Sequence, residues 1–171
     1  SLPARRLMAW RFSRPRAIRD DLRMTDFRVS RDSLETVEFT EGVSGDAGQI
    51  GPGEALLRVD AFSFTANNIS YAIFGDFMSY WNFFPAGDGW GRIPVWGFAD
   101  VVASECDGVE VGQRFYGYLP MSSYLVVTPG NVTASGFADF AEHRKELHSV
   151  YNSYALTSAD PTYDAALEGE I

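Results

Sequence analysis

Cysteine is nearly absent from this 171-residue chain: Cys106 stands alone. One thiol excludes an intramolecular disulfide and any zinc lobe built from several cysteines, and fits a reducing cytoplasm. No run of 18 apolar residues occurs, which excludes a helix crossing a membrane. The Gly-x-Gly-x-x-Gly turn that opens a dinucleotide-binding domain is missing as well. The nearest groupings, Gly45-Asp46-Ala47-Gly48 and Gly87-Asp88-Gly89-Trp90-Gly91, do not follow a strand and open a helix, so they read as loops. Only two histidines are present, His143 and His148. They stand five apart, which does not put them on one helical face as a metal pair at i, i+4 would be.

Apolar and aromatic residues are plentiful, at 46% and 15% of the chain. A chain of this length buries roughly two thirds of its unfolded surface, enough for one domain with extensions. The net charge of −9 is unevenly spread. Residues 1–23 hold seven of the thirteen arginines against Asp20 and Asp21, and the remainder carries 7 basic and 21 acidic side chains, a net charge of −14. Clustered arginine suits phosphate or nucleic acid, an Arg-rich transit-like presequence, or an accidental extension upstream of Met24. Nothing in the arm beyond Trp10 and Phe12 offers the stacking aromatics that RNA or DNA binding uses. The reading is therefore a basic extension over 1–23, with neither nucleic acid nor membrane as partner.

Short alternations at Phe27–Ser30 and Thr36–Phe39 predict half-buried strands. Glu54–Phe64 alternates strongly, with Ala55, Leu57, Val59 and Ala61 on one face. Asn67–Phe74 spaces Ile69, Ala72 and Ile73 as a short helix would. Val95–Ser104, Gly112–Tyr118 and Ser123–Val127 read as further strands. Strands recurring every 8–12 residues between turn signals predict a mainly β fold, a sandwich or partly open barrel. In the tail, Phe137, Phe140, Ala141, Leu147, Val150, Tyr151 and Tyr154 recur at three- and four-residue intervals around Glu142, Arg144, Lys145 and Glu146. That spacing predicts a C-terminal amphipathic helix whose apolar stripe needs a surface. The expected organisation is a β domain over 24–135 and a helical tail over 136–171.

Three segments carry a family likeness. Gly53-Glu54-Ala55-Leu56-Leu57-Arg58-Val59-Asp60-Ala61, continuing to Asn68, is similar to the pattern G-E-V-L-V-R-V-x-A-x-G-x-N-x-x-D. Pro94-Val95-Trp96-Gly97-Phe98-Ala99-Asp100-Val101-Val102 is similar to P-G-x-E-x-x-G-V-V. Gly108-Val109-Glu110-Val111-Gly112-Gln113-Arg114-Phe115-Tyr116-Gly117 is similar to V-x-x-G-D-R-V-x-G, and Ser123-Tyr124-Leu125-Val126-Val127, which follows, to Y-A-E-Y-V-V-V-P. In this order the segments resemble the medium-chain dehydrogenase/reductase superfamily, in its quinone-reductase-like branch. The aromatic loop that carries Phe77, Tyr80, Trp81, Phe83, Phe84 and Trp90, together with the tail, resembles the bacterial DUF2855 family within it.

The resemblance implies a GroES-like substrate domain, a partly open barrel, working beside a Rossmann domain that lies beyond this chain. It implies NADP or NAD as cofactor, bound mainly by that other domain, and a small apolar or aromatic carbonyl, enone or quinone as substrate. A homodimer stays open. Zinc-dependent members place a Cys where this chain has Thr65, and Gly-His-Glu where it has Val95-Trp96-Gly97. Catalytic zinc needs thiolate, imidazole or carboxylate ligands, which these residues do not offer, so the expected chemistry is zinc-free.

Eleven aromatics fall between Phe62 and Trp96. They read either as a pocket wall for a flat substrate, with Phe62, Trp81, Trp90 and Trp96 as substrate contacts, or as core and docking face. Thr65, Asn67 and Asn68 read as cofactor-facing donors or as a turn bonded by its own Asn side chains. Tyr71 reads as a proton donor to an enolate or as a core tyrosine. Two functions follow: a zinc-free NAD(P)H-dependent oxidoreductase, inactive without its nucleotide domain, or a non-catalytic module that keeps the fold.

Overall fold

The computed structural model describes residues 25–170, so the basic extension read over 1–23 lies outside the described residues. Ten strands and one α-helix follow in order: β1 (Thr25–Ser30), β2 (Val37–Glu41), β3 (Ala55–Ser63), α1 (Ala66–Ile73), β4 (Trp90–Gly91), β5 (Pro94–Ser104), β6 (Arg114–Pro120), β7 (Tyr124–Val127), β8 (Pro129–Thr133), β9 (Gly136–Asp139) and β10 (Ser153–Leu156). The fold is mainly β. A small sheet has the order β2-β1-β4, and a seven-stranded one the order β7-β3-β5-β6-β10-β9-β8.

Covalent connectivity forces the large sheet to curl. β7 and β8 lie at its opposite edges, yet only Thr128 separates them in the chain. Six strand spacings in a flat sheet would part those edges by about 29 Å, and two residues reach only about 7 Å. The sheet therefore bends until its edges approach, giving a partly open barrel. At the junction Val127 pairs with Ala55 on β3, and Pro129 pairs with Asp139 on β9. Pro129 suits the edge, where a missing N–H costs no ladder bond.

Inside lie Ala55, Leu57, Val95, Ala99, Val101, Phe115, Leu119 and Val127, with Phe137 and Tyr154 from the closing strands. The register shifts twice between β3 and β5. The two strands come so close at Gly97 that a Cβ there would stand 2.2 Å from the Ala61 carbonyl oxygen. That approach gives a packing reason for glycine in the Pro94–Val102 segment.

The amphipathic helix expected over Phe137–Tyr154 is not formed. The stretch instead supplies β9, two single 3-10 turns (Glu142–Arg144 and Ser149–Asn152) and β10, which enters the large sheet between β6 and β9. The cause is local. Asp139 accepts hydrogen bonds at one oxygen from Thr128 N and Ala141 N, both 2.9 Å, a side-chain-to-backbone arrangement that competes with helix. Gly136, at φ 144°, lies against the β10 backbone, where a Cβ would meet Tyr154 O at 2.0 Å. Among the described residues, no helix is long and apolar enough to cross a membrane.

Candidate functional site

Helix α1 begins where β3 ends, and its start is fixed by three residues read as cofactor-facing. Thr65 N donates to Asn68 Oδ1 at 2.7 Å, and Asn67 N donates to Thr65 Oγ1 at 3.3 Å. This is a capping box, in which two otherwise unmet helix donors are satisfied reciprocally. Asn68 also donates through Nδ2 to Pro94 O at 2.8 Å, pinning the helix to β5. Both ends of the Asn68 amide are thus used inside the fold, while Thr65 and Asn67 are exposed.

The helix turns an unexpected face inward. Asn68, Tyr71 and Ala72 are buried, whereas Ile69 and Ile73 face out. Together with Phe62, Phe64, Phe74, Phe77 and Met78 they make the stretch from β3 past α1 rich in exposed apolar side chains, Phe77 being 85% exposed.

Behind α1, four tyrosines gather: Tyr71, Tyr80, Tyr118 on β6 and Tyr151 from the tail. Tyr118 lies 5.6 Å from Tyr71 and 4.7 Å from Tyr151 by ring centroids, and Tyr71 lies 4.8 Å from Tyr80. The hydroxyls of Tyr80 and Tyr151 are 3.4 Å apart. Phe83 and Phe84 complete the buried part, and Trp96 and Tyr151 flank it partly exposed. Burial, then the crowding phenols of Tyr71, Tyr151 and Tyr80, push the Tyr118 hydroxyl far above the usual phenol range. Tyr151 is raised as well, first by its hydrogen bond with Tyr80 and then by burial. The Tyr118 hydroxyl is buried and has no hydrogen-bond partner among the described residues.

The tryptophans separate. Trp96 stacks on Tyr116 at 5.8 Å and leans on Tyr118 at 5.1 Å, so it joins Tyr71 in the tyrosine cluster. Phe62 pairs with Gly97, one residue beyond Trp96, and is exposed. Trp81 is 2% exposed and packs with Val29, Ala72 and Ile93, under glycines 75 and 91, where any Cβ would strike its ring. Trp90 lies in the small sheet with the Arg28 guanidinium 4.9 Å from its ring. The four aromatics read as one pocket wall thus divide among the barrel rim, the core and the second sheet.

A buried ionic centre underlies the cluster and escaped the sequence reading altogether. Arg144, expected on the polar face of a tail helix, is fully buried and pairs with Asp139 at 3.3 Å. Its Nε donates to Phe83 O at 3.4 Å, and its Nη1 donates to Tyr154 Oη at 3.3 Å. The guanidinium also sits 4.6 Å from the Phe84 ring. Tyr154 donates in turn to Tyr118 O at 2.7 Å, and burial pushes its phenol up to about 12, against the pull of Arg144. Tail, aromatic loop and β6 are tied together at this point. Among the described residues, no three of His, Cys, Asp and Glu group to hold a metal ion. His143 and His148 are both exposed.

The family described as "Protein of unknown function (DUF2855)" matches residues 62–171. The chain belongs to that family. The matched region contains α1, the tyrosine cluster and the Arg144–Asp139 pair. No curated protein matches the chain.

Sequence signals for the missed residues existed only in part. Tyrosine where phenylalanine would pack equally well, at positions 71, 80, 118 and 151, hints at hydroxyls that seek partners. Nothing in the spacing of Asp139 and Arg144 foretold that they would meet inside.

Proposed function

We propose that this chain is the substrate-side, GroES-like domain of a zinc-independent NAD(P)H-dependent oxidoreductase of the medium-chain dehydrogenase/reductase type, reducing a carbonyl, enone or quinone. The observation that carries the reading is the exposed apolar stretch Phe62–Met78 beside the capped start of α1. A flat cofactor and a second domain would both find contact there. Supporting it, the three segments that carry the superfamily likeness include β3, β5 and β6, which are successive neighbours in the large sheet. Tyr71, the proton donor of this reading, belongs to the tyrosine cluster behind α1.

The residues of this chain do not by themselves fit a whole dinucleotide. The Asn68 amide is consumed by Thr65 and Pro94, which leaves Thr65 and Asn67 as the exposed polar contacts of the three, and the sequence has no glycine-rich phosphate turn. Cofactor would be held mainly by the partner domain. Burial of Tyr71 and Trp81 favours a second reading, a non-catalytic binding or structural module that keeps the fold.

Titrating the full-length protein with NADPH and with NADH, followed by nicotinamide fluorescence, separates the two. The oxidoreductase reading predicts saturable binding of at least one of them. Binding of neither would overturn it.

A further inference from the structure

The Tyr118 hydroxyl stands with Arg144 Nη2 and Asn152 Oδ1 as a buried polar atom left unbonded among the described residues. It is buried at 0% residue exposure and has no hydrogen-bond partner among the described residues. Buried hydroxyls are nearly always bonded, so an orphan asks for a reason. Here the surroundings supply one. The Tyr71 and Tyr151 rings pack against Tyr118, Tyr80 packs against both of them, and the Tyr80 and Tyr151 hydroxyls lie 3.4 Å apart. A phenol offers one proton to donate, and a group of phenols is therefore rich in donors.

We propose that the four tyrosines around Tyr118 form a receptor for the carbonyl oxygen of a flat, uncharged ligand, with Tyr118 Oη as its principal donor. The partly exposed Tyr80, Trp96 and Tyr151 make the side from which the ligand enters, and the stacked Trp96 and Tyr116 rings match a planar body. A carboxylate or phosphate is a poor fit. Among the described residues the buried cation beneath, Arg144, has its charge matched by Asp139 and its Nε and Nη1 bonded to Phe83 O and Tyr154 Oη, which leaves Nη2 alone unbonded. An uncharged acceptor gains the orphan bond without bringing a charge into an aromatic enclosure. The choice of ligand class rests on the carbonyl-reducing reading above.

The test uses two probes of similar size, acetophenone and ethylbenzene, of which only the first carries a carbonyl oxygen. Each is titrated calorimetrically into the full-length protein and into its Tyr118→Phe variant. Acetophenone should bind, and the variant should bind it roughly tenfold more weakly, the worth of about one hydrogen bond. Ethylbenzene affinity should be equal in both proteins, which also reports that the variant is folded, and Tyr151→Phe should show a smaller loss of the same sign. No acetophenone binding, or equal binding by wild type and Tyr118→Phe, would overturn the assignment. Nicotinamide binding is read separately. NADPH binding without carbonyl discrimination removes this site and leaves the oxidoreductase reading, whereas discrimination without NADPH binding supports the site and removes that reading.

Discussion

Arg144 shows how far a single side chain can depart from what its neighbours in sequence suggest. Flanked by Glu142, His143, Lys145 and Glu146, it reads as one more solvated charge, yet it is the member of that run taken fully inside. Its ion pair with Asp139 is not by itself a source of stability, because desolvating both ions costs about as much as their attraction returns. Losing one partner is another matter, since it strands the other's charge. Arg144→Met should therefore destabilise the protein by about 3–5 kcal/mol, measured by denaturant unfolding. The double variant Asp139→Asn with Arg144→Met should lose less than the two single changes summed, because neither then leaves an uncompensated ion. Additive losses would argue against a coupled pair.

At the scale of elements, periodicity and turn signals made the β1, β2, β3, β5, β6 and β7 strands legible. Each has an alternating or continuous apolar pattern bounded by Gly, Pro, Asn or Ser. Helix α1 was legible too, but not its orientation. Ile69 and Ile73 mark an apolar stripe that would ordinarily face inward, and the capping box with the Asn68–Pro94 bond rotates it outward. The capping residues can be tested directly. Thr65→Ala should cost about 1 kcal/mol, a fall in Tm of about 2–4 °C for a chain this size. An unchanged Tm would mean that the cap contributes nothing.

The tail was illegible for a physical reason. Apolar residues at 137, 140, 141, 147, 150, 151 and 154 satisfy helical spacing, but Phe137 and Tyr154 are used as facing strand residues and stack at 5.0 Å. Side-chain competition from Asp139 and the backbone contact at Gly136 decide the matter, and both depend on β8 and β10 being in place. Non-local pairing of this kind leaves no mark in a window of one segment. The candidate site suffered likewise. Tyr71 and Trp96 were singled out and do share a cluster, but Tyr118 and Tyr151 reach it from β6 and from the tail, 33 residues apart in sequence.

For the whole molecule, the one-residue link between β7 and β8 turns a seven-stranded sheet into a partly open barrel, and the same curl brings the tail under the aromatic loop. A second knot holds the other end. Arg114 bonds Glu168, Asp100 and Asp60 at 2.7–2.8 Å. Burial works against its charge, but those carboxylates outweigh it and raise the guanidinium further, and the Glu168 carboxyl is in turn held below its usual range by Arg114. With the tail fixed at both knots, the stretch Phe62–Met78 holds seven of the fourteen large apolar side chains exposed among the described residues. In the proposed oxidoreductase this stretch faces cofactor and partner domain. Hydrogen–deuterium exchange of the full-length protein, with and without saturating NADPH, tests it most directly. Slower exchange across residues 62–78 on adding NADPH is the predicted result. Exchange there that is indifferent to the nucleotide would contradict it.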